Sequence, residues 1–264
     1  MNNKYTVVFP AHLEGGFTDL VLLMKDAIHC PIVRTLKEVP TNSRPIMIGA
    51  HELPQRMEWG NLRDDMIIYE TEQHSWWLVP EYMDWLKKYT VWSLFKNTIP
   101  NSIYVPTGYS TLFDIPYATY ESTEKWIDAL HYGFNSPHRG DMLRSLNRAR
   151  LNVVDTNQTY HANLYRLIDA SKCVVAINFG GPGAGKCFTI LRCFIPMCRG
   201  IPVVAEETPD MWDAGWAPAV ANEVNFPGVV RSVVDNYKDV GITQRKLIMQ
   251  HPYSEIIRTA IERS

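Results

Sequence analysis

The sequence has no long hydrophobic run, no basic excess and no paired cysteines, and each absence excludes a class of protein. Across 264 residues no apolar stretch approaches the length that spans a bilayer, which is about 20 residues. The N-terminal stretch MNNKYTVVFPAHLEGG has one lysine and a short apolar run without a small-residue cleavage site. Secretion is therefore not expected. The cysteines (Cys30, Cys173, Cys187, Cys193, Cys198) are odd in number and lack C-x-x-C spacing. That argues against a disulfide framework and a zinc site, and reduced thiols in a cytoplasmic protein are expected. Net charge is −2, whereas a nucleic-acid binder usually carries a basic excess to neutralise phosphates. The candidate basic patch, HRGDMLRSLNRAR from His138 to Arg150, reads first as a solvated helix face.

What is present is an alternation of short apolar strands and helices. YTVVFP, Tyr5 to Pro10, leads through AHLEGG into a helical pattern over Phe17–Ile28. Strands are expected at Pro31–Arg34, Pro45–Gly49, Met66–Tyr69, Val91–Ser93 and Ser102–Pro106, and a helix over Val79–Tyr89. After a polar, turn-rich stretch near residues 110–122 the alternation resumes. Strands are expected at Ile127–Gly133, Asn152–Asp155, Cys173–Asn178 and Pro202–Glu206. Helices are expected at Arg139–Arg150, Ala162–Ala170, Phe188–Arg199 and through most of the chain from Pro227. Such alternation implies parallel βαβ units. The expected fold is α/β, with two Rossmann-like domains at residues 1–118 and 119–264, an interdomain cleft, and a C-terminal helix that returns to the first domain. Ligands in such sheets bind beyond the carboxyl ends of the strands.

Gly180-Gly-Pro-Gly-Ala-Gly-Lys186, between a strand and a helix, fits G-x-x-x-x-G-K. Glycines such as Gly181, Gly183 and Gly185 let backbone N–H groups approach an anion, and a helix N-terminus and Lys186 add positive charge. Two features depart from a kinase P-loop. Cys187 stands where Ser or Thr would ligate magnesium, and only residues 187–264 follow the lysine, where a kinase core would have to lie. Binding of some phosphate is the preferred reading, with a ligand-free turn the alternative.

Two longer stretches carry a resemblance. DDMIIYETEQHSWWLVPEYMDWLKKYTVWSLFKNTIPNSIYVPTGYS, Asp64 to Ser110, resembles the N-terminal domain of bacterial and phage glycosyltransferases of the GT-B type. LHYGFNSPHRGDMLRSL, then VVAIN, then ILRCFIPMCRGIPVVAEE resemble, in the same order, the donor-binding domain of those enzymes. The resemblance covers most of the chain. It departs at Thr189, where the family often has a glutamate three residues before the arginine matched by Arg192, and at the glycine stretch after Asn178.

The resemblance implies an enzyme that moves a sugar from a nucleotide-diphosphate sugar, a uridine diphosphate sugar first, to a hydroxyl acceptor. The glycine loop then becomes a diphosphate cradle. No D-x-D motif is present, and no metal is expected. The acceptor is left between hydroxymethylated bases in DNA, which compact phage enzymes of this look modify, and saccharides or surface polymers. A P-loop kinase and a catalytically degenerate nucleotide-sugar-binding module are the rivals.

Individual residues follow from this. In AHLEGGFTD, His12, Glu14 and Asp19 lie beside a glycine pair, and a carboxylate or imidazole there can deprotonate a hydroxyl; helix capping and a solvated Glu14 are the alternative. Donor contacts are expected from Gly181, Gly183, Gly185, Lys186, Thr189, Arg192 and Glu206. Arg192, in an apolar helix, needs an anionic partner, with the donor phosphate and Glu206 as candidates. Glu206 and Glu207 either meet ribose or sugar hydroxyls or form a surface pair. Glu72 and Gln73 end a strand, as ligand contacts or hinge residues. His131 and His161 read as structural, and Trp76, Trp77, Trp85 and Trp92 as core.

Overall fold

Short runs of β-branched and apolar residues, buried on both faces, build two all-parallel sheets. The computed structural model describes residues 4–50, 63–71, 80–96, 98–115, 121–157, 159–180 and 190–264, without the side chain of His12. The chain divides into two units, Met1–Thr107 with Tyr253–Ser264, and Gly108–Pro252.

The first unit runs β1 (Tyr5–Val8), α1 (Thr18–Ile28), β2 (Ile32–Val33), β3 (Arg44–Ile48), β4 (Ile67–Glu70), α2 (Pro80–Leu86), β5 (Thr90–Ser93) and β6 (Ile103–Tyr104). Its strands lie in the order β2-β1-β3-β4-β5-β6, parallel throughout. Val8, Met47, Ile68 and Val91 form one core with Tyr82, Trp85 and Leu86 of α2. Glu70 is fully buried, which a carboxylate tolerates only with partners; it accepts from Tyr82 Oη at 2.6 Å and from the Thr71 backbone N–H at 2.9 Å.

The second unit runs β7 (Ile127–Tyr132), α3 (Pro137–Arg148), β8 (Val153–Thr156), α4 (His161–Asp169), β9 (Ser171–Ala176), α5 (Ile190–Cys198), β10 (Val203–Glu206), β11 (Ala219–Ala221), α6 (Phe226–Asp235) and α7 (Tyr237–Met249). Its parallel order is β11-β10-β9-β7-β8. On one face, Ala129, Cys173, Val175 and Val204 pack with Met142, Leu143 and Leu146 of α3 and with Phe226, Val230 and Val233 of α6. On α7, Gln244 bonds both the N–H and the C=O of Val203, at 2.7 and 2.9 Å. Gly241 sits mid-helix because the Gly200 carbonyl occupies the place of any Cβ.

The last helix, α8 (Tyr253–Glu262), belongs to the first unit and packs along α1. Tyr253 and Ile257 are fully buried, and Ser264 just beyond the helix accepts from Trp92 Nε1 at 2.8 Å.

Two Rossmann-like sheets are therefore present, as the alternation requires. A single continuous sheet, which a P-loop kinase core needs, is not what the described residues form. β11 was not legible in the sequence: three residues, Ala-Val-Ala, carry no β-branched run, and the strand forms by pairing with Val204–Glu206. In each sheet the strand order reverses between the first and third strands of the unit, β1/β3 and β7/β9. Connections leave in opposite directions there, opening a crevice at the carboxyl edge.

The C-terminal helix supplies a test of this organisation. Ile257→Ala should remove about 2–5 kcal/mol from the first unit. In hydrogen exchange, β1–β6 should lose protection while β7–β11 keep theirs.

Candidate functional site

At the β7/β9 switch point the local sequence aims a helix start at the crevice. Ser136 caps α3, its hydroxyl accepting from the Arg139 backbone N–H at 3.3 Å, and Pro137 takes the first helical position, a combination that stops and starts a helix cleanly. Arg139 is 2% exposed. Its Nε donates to the Ile177 carbonyl at 2.9 Å, Nη1 donates to the Phe134 carbonyl, and the guanidinium lies 5.0 Å from the Phe179 ring centroid.

A second guanidinium arrives from α5. Arg192 is partly buried and donates from Nη1 to the same Ile177 carbonyl, at 3.4 Å. Pro196, one turn on, has no N–H to give the Arg192 carbonyl; Tyr132 Oη, from the end of β7, donates to it instead at 2.7 Å. Gly133 follows Tyr132 with φ +114°, and a Cβ there would run into the Arg192 guanidinium. Only glycine lets the chain turn and the arginine pass.

Neither arginine pairs with a carboxylate among the described residues. Burial, and then Arg192, push Arg139 down to about 9, and burial also lowers Arg192. Both remain cations at neutral pH, in a place that disfavours cations. An anion between them would relieve that cost.

Glu206 lies at the end of β10, 2% exposed, and the partners described for it do not include Arg192. Its carboxylate accepts from His138 Nε2 at 3.0 and 3.1 Å and from the Asn178 N–H at 3.0 Å. A second histidine, His131 near the end of β7, is fully buried with Nδ1 2.8 Å from Asp155, and Asn135 Nδ2 donates to the other Asp155 oxygen at 3.0 Å. Because the carboxylate can only accept, Nδ1 carries the proton and Nε2 a bare lone pair. Burial drives His131 down to about 4, against the Asp155 bond, with Arg192 and Arg139 adding to the fall. Among the described residues, His131 Nε2, Asn178 Nδ2 and Thr208 Oγ1 are buried without a hydrogen-bond partner.

At the other switch point, Glu14 and Gly15–Gly16 lie between β1 and α1. Glu14 pairs with Arg34, both about half exposed, and Arg34 Nη1 also donates to the Phe9 carbonyl at 3.2 Å. Thr18 Oγ1 accepts from Gly15 N at 3.1 Å, and Asp19 occupies the first turn of α1. His12 contributes backbone to the turn Ala11–Leu13, and its side chain lies outside the described set.

Of the residues expected from sequence, Arg192 and Glu206 come to one edge of one sheet. Gly181, Gly183, Gly185, Lys186 and Thr189 lie outside the described residues, as do Glu72, Gln73, Trp76 and Trp77. His138, Arg139 and Asn178 were missed. The segment from His138 is not simply a solvated face: Arg139, Met142, Leu143 and Leu146 share one buried stripe. That i, i+3, i+4, i+7 spacing was readable, and an arginine within such a stripe marks an enclosed charge. Among the described residues, no three His, Cys, Asp or Glu side chains are grouped to hold a metal, and no helix is long and apolar enough to cross a membrane.

No protein-family model matches the chain, and no curated protein matches it in sequence. Solved structures do match its fold. AviGT4, a glycosyltransferase involved in avilamycin A biosynthesis, aligns over 98% of this chain and 96% of its own, with 12% identity and a TM-score of 0.59. TarM aligns over 84% of this chain at 13% identity and a TM-score of 0.56, and this chain spans 54% of TarM. The DNA-modifying β-glucosyltransferase, solved with and without its substrate uridine diphosphoglucose, aligns over 98% of this chain and 99% of its own, at 12% identity and a TM-score of 0.51. The fold is thus GT-B-like: two Rossmann-like sheets in succession.

The buried histidine gives the second unit a pH dependence of definite sign. Unfolded, His131 binds a proton below its ordinary 6.5; folded, it resists to about 4. The unfolded state therefore holds more protons in that window, and stability should fall as pH drops through it, by about 3 kcal/mol in all. His131→Asn should flatten that part of the profile in denaturant titrations from pH 7 to 4.

Proposed function

We propose that the chain is a glycosyltransferase that moves a sugar from a nucleotide-diphosphate sugar, with uridine diphosphate sugars the first donors to test, to a hydroxyl acceptor. One observation carries the reading. Two enclosed guanidiniums, Arg139 and Arg192, meet at a sheet switch point beside a helix start with no carboxylate partner among the described residues. A diphosphate matches that charge and that place. The likeness of fold to AviGT4 and to the DNA-modifying β-glucosyltransferase supports it, and the substrate uridine diphosphoglucose of the latter directs the choice of donor.

On this reading the acceptor oxygen bonds the anomeric carbon as the bond from that carbon to the diphosphate oxygen breaks. The nucleoside diphosphate leaves with the electron pair. Arg139, Arg192 and Lys186, with the N–H groups of Gly181, Gly183 and Gly185, hold the charge that develops there. Thr189 is assigned to the same donor contact by the order of the sequence. Three protein cations neutralise a diphosphate without a divalent metal. Glu206, its two oxygens already oriented by His138 and Asn178, takes a ribose or sugar hydroxyl. In the first unit the segment from His12 through Glu14 to Asp19 supplies the base that removes the acceptor proton, and Arg34 holds Glu14 in place. The reading carries the domain assignment with it: donor in the C-terminal half, acceptor side in the N-terminal half, in a cytoplasmic enzyme. The acceptor classes are a hydroxymethylated base in phage DNA and a saccharide.

Calorimetry decides between this and a kinase. Arg192→Met and Lys186→Ala should each weaken UDP and UDP-glucose by about ten- to a hundredfold, with magnesium omitted. Cys187→Ser should change neither. A gain in magnesium–ATP binding in Cys187→Ser, with UDP binding intact in Lys186→Ala, would overturn the proposal in favour of a P-loop kinase. The acceptor side has its own test. Glu14→Gln should lower turnover by about a hundredfold and leave UDP-glucose affinity within a few-fold of wild type. Near-normal turnover would return Glu14 to its Arg34 pair alone, and a chain that binds donor but neither transfers nor hydrolyses it would be a degenerate binding module.

A further inference from the structure

One buried group beside the two guanidiniums takes no part in holding the donor: the ring of His131. Ala129 of β7 packs in the core beneath α3, and alternate residues of a strand share a face. His131, two positions on, therefore lies on the α3 side of the sheet, toward the start of the helix that carries Arg139. Its strand runs between β8 and β9. Nδ1 is committed to Asp155, the cross-strand neighbour on β8. The two nitrogens of an imidazole point to nearly opposite sides of the ring, so Nε2 faces toward β9. There the Ile177 carbonyl gathers the Arg139 and Arg192 guanidiniums.

Nε2 is an unfinished contact. The ring is fully buried and Nε2 has no partner, and Asn178 Nδ2, one residue past Ile177, is also buried without one. Buried polar atoms without partners are costly, and a ligand that supplies them removes the cost. A phosphate oxygen accepts from Asn178 Nδ2 as it stands. It is repelled by the bare lone pair of Nε2 and is bonded only by Nε2–H.

The surroundings decide when that proton arrives. The charged groups that act on His131 are Arg192 from α5, Arg139 from α3 and Asp155 from β8. Beside it β9 is apolar from Val174 to Ile177. The two arginines oppose a proton on the ring, and Asp155 favours one. A dianion seated on the arginines cancels their repulsion and adds an attraction of its own.

We propose that His131 takes up a proton from water when a diphosphate binds, and that Nε2–H then donates a hydrogen bond to a diphosphate oxygen. The proton stays on the ring while the sugar is transferred and returns to water when the nucleoside diphosphate leaves. Donor binding is thus coupled to one protonation, and His131 is a further contact to the leaving group. The identity of the anion rests on the glycosyltransferase reading.

The test uses the full chain and UDP-glucose, whose diphosphate is esterified at both ends and brings no titrating proton of its own. The liganded site holds more protons, so binding should strengthen as pH falls. Without ligand His131 is held at about 4; a bound diphosphate should return it to its ordinary value or above. Affinity should then rise about tenfold from roughly pH 7.5 to 5.5. Calorimetry at the lower pH, in buffers of different ionisation enthalpy, should count most of one proton taken up per UDP-glucose. His131→Asn, which keeps a donor for Asp155, should bind with no uptake and a flat pH profile. His138→Gln should keep the uptake.

UDP-glucose bound without proton uptake would overturn the inference and leave the transferase standing, as would uptake that survives in His131→Asn or is lost in His138→Gln. The His138→Gln arm decides even where His131→Asn does not fold. Uptake that depends on His131, in a chain that neither transfers nor hydrolyses the sugar, would keep the inference and sink the transferase. No UDP-glucose binding at millimolar concentration would overturn both.

Discussion

The second unit depends on one electrostatic constraint: two guanidiniums near each other that, among the described residues, are held only by backbone carbonyls and an aromatic face. Each feature around them follows from that. Gly133 is needed because Arg192 occupies the space a side chain would take. The Ile177 carbonyl, one residue past β9, receives both arginines. His131 is kept neutral by burial and by the two guanidiniums beside it, against the pull of Asp155, whose carboxylate fixes the tautomer.

The nearby carboxylate is kept for other work. Glu206 would be the natural partner for an arginine, yet His138 and the Asn178 N–H take both of its oxygens. Stability alone favours pairing charges directly. An arrangement that pairs the carboxylate with a histidine and, among the described residues, leaves the guanidiniums without one gives up that stabilisation, which is the behaviour of a site shaped by a ligand.

The fold was largely legible because its strands are parallel and buried on both faces. Such strands read as short apolar runs, and helical periodicity separates them cleanly; Tyr5–Val8 and Ser171–Ala176 are instances. β11 escaped because pairing, not propensity, makes it a strand. The site was half legible. Arg192 stood out as a charge in the apolar run ILRCFIPMC. Arg139 did not, because its neighbours Arg144, Arg148 and Arg150 gave the whole segment a basic, solvent-facing look, and only the position of Arg139 on the apolar stripe distinguishes it. Glu206 was found by its place at a strand end, but its partner was not, since His138 lies 68 residues away in sequence and only the sheet order brings the two together.

The bond from Tyr132 Oη to the Arg192 carbonyl has a consequence for how this protein can diverge. A proline four residues after Arg192 deletes a helix donor, and a hydroxyl on a different element replaces it. With an ordinary residue at 196 the helix satisfies its own carbonyl, and that carbonyl no longer depends on the Tyr132 hydroxyl. Positions 132 and 196 are therefore tied through a backbone atom that substitution cannot alter. Among descendants of this chain the Tyr132 hydroxyl should be lost only where Pro196 has already gone, and a lineage that has lost both would have lost a tether between β7 and the helix carrying Arg192.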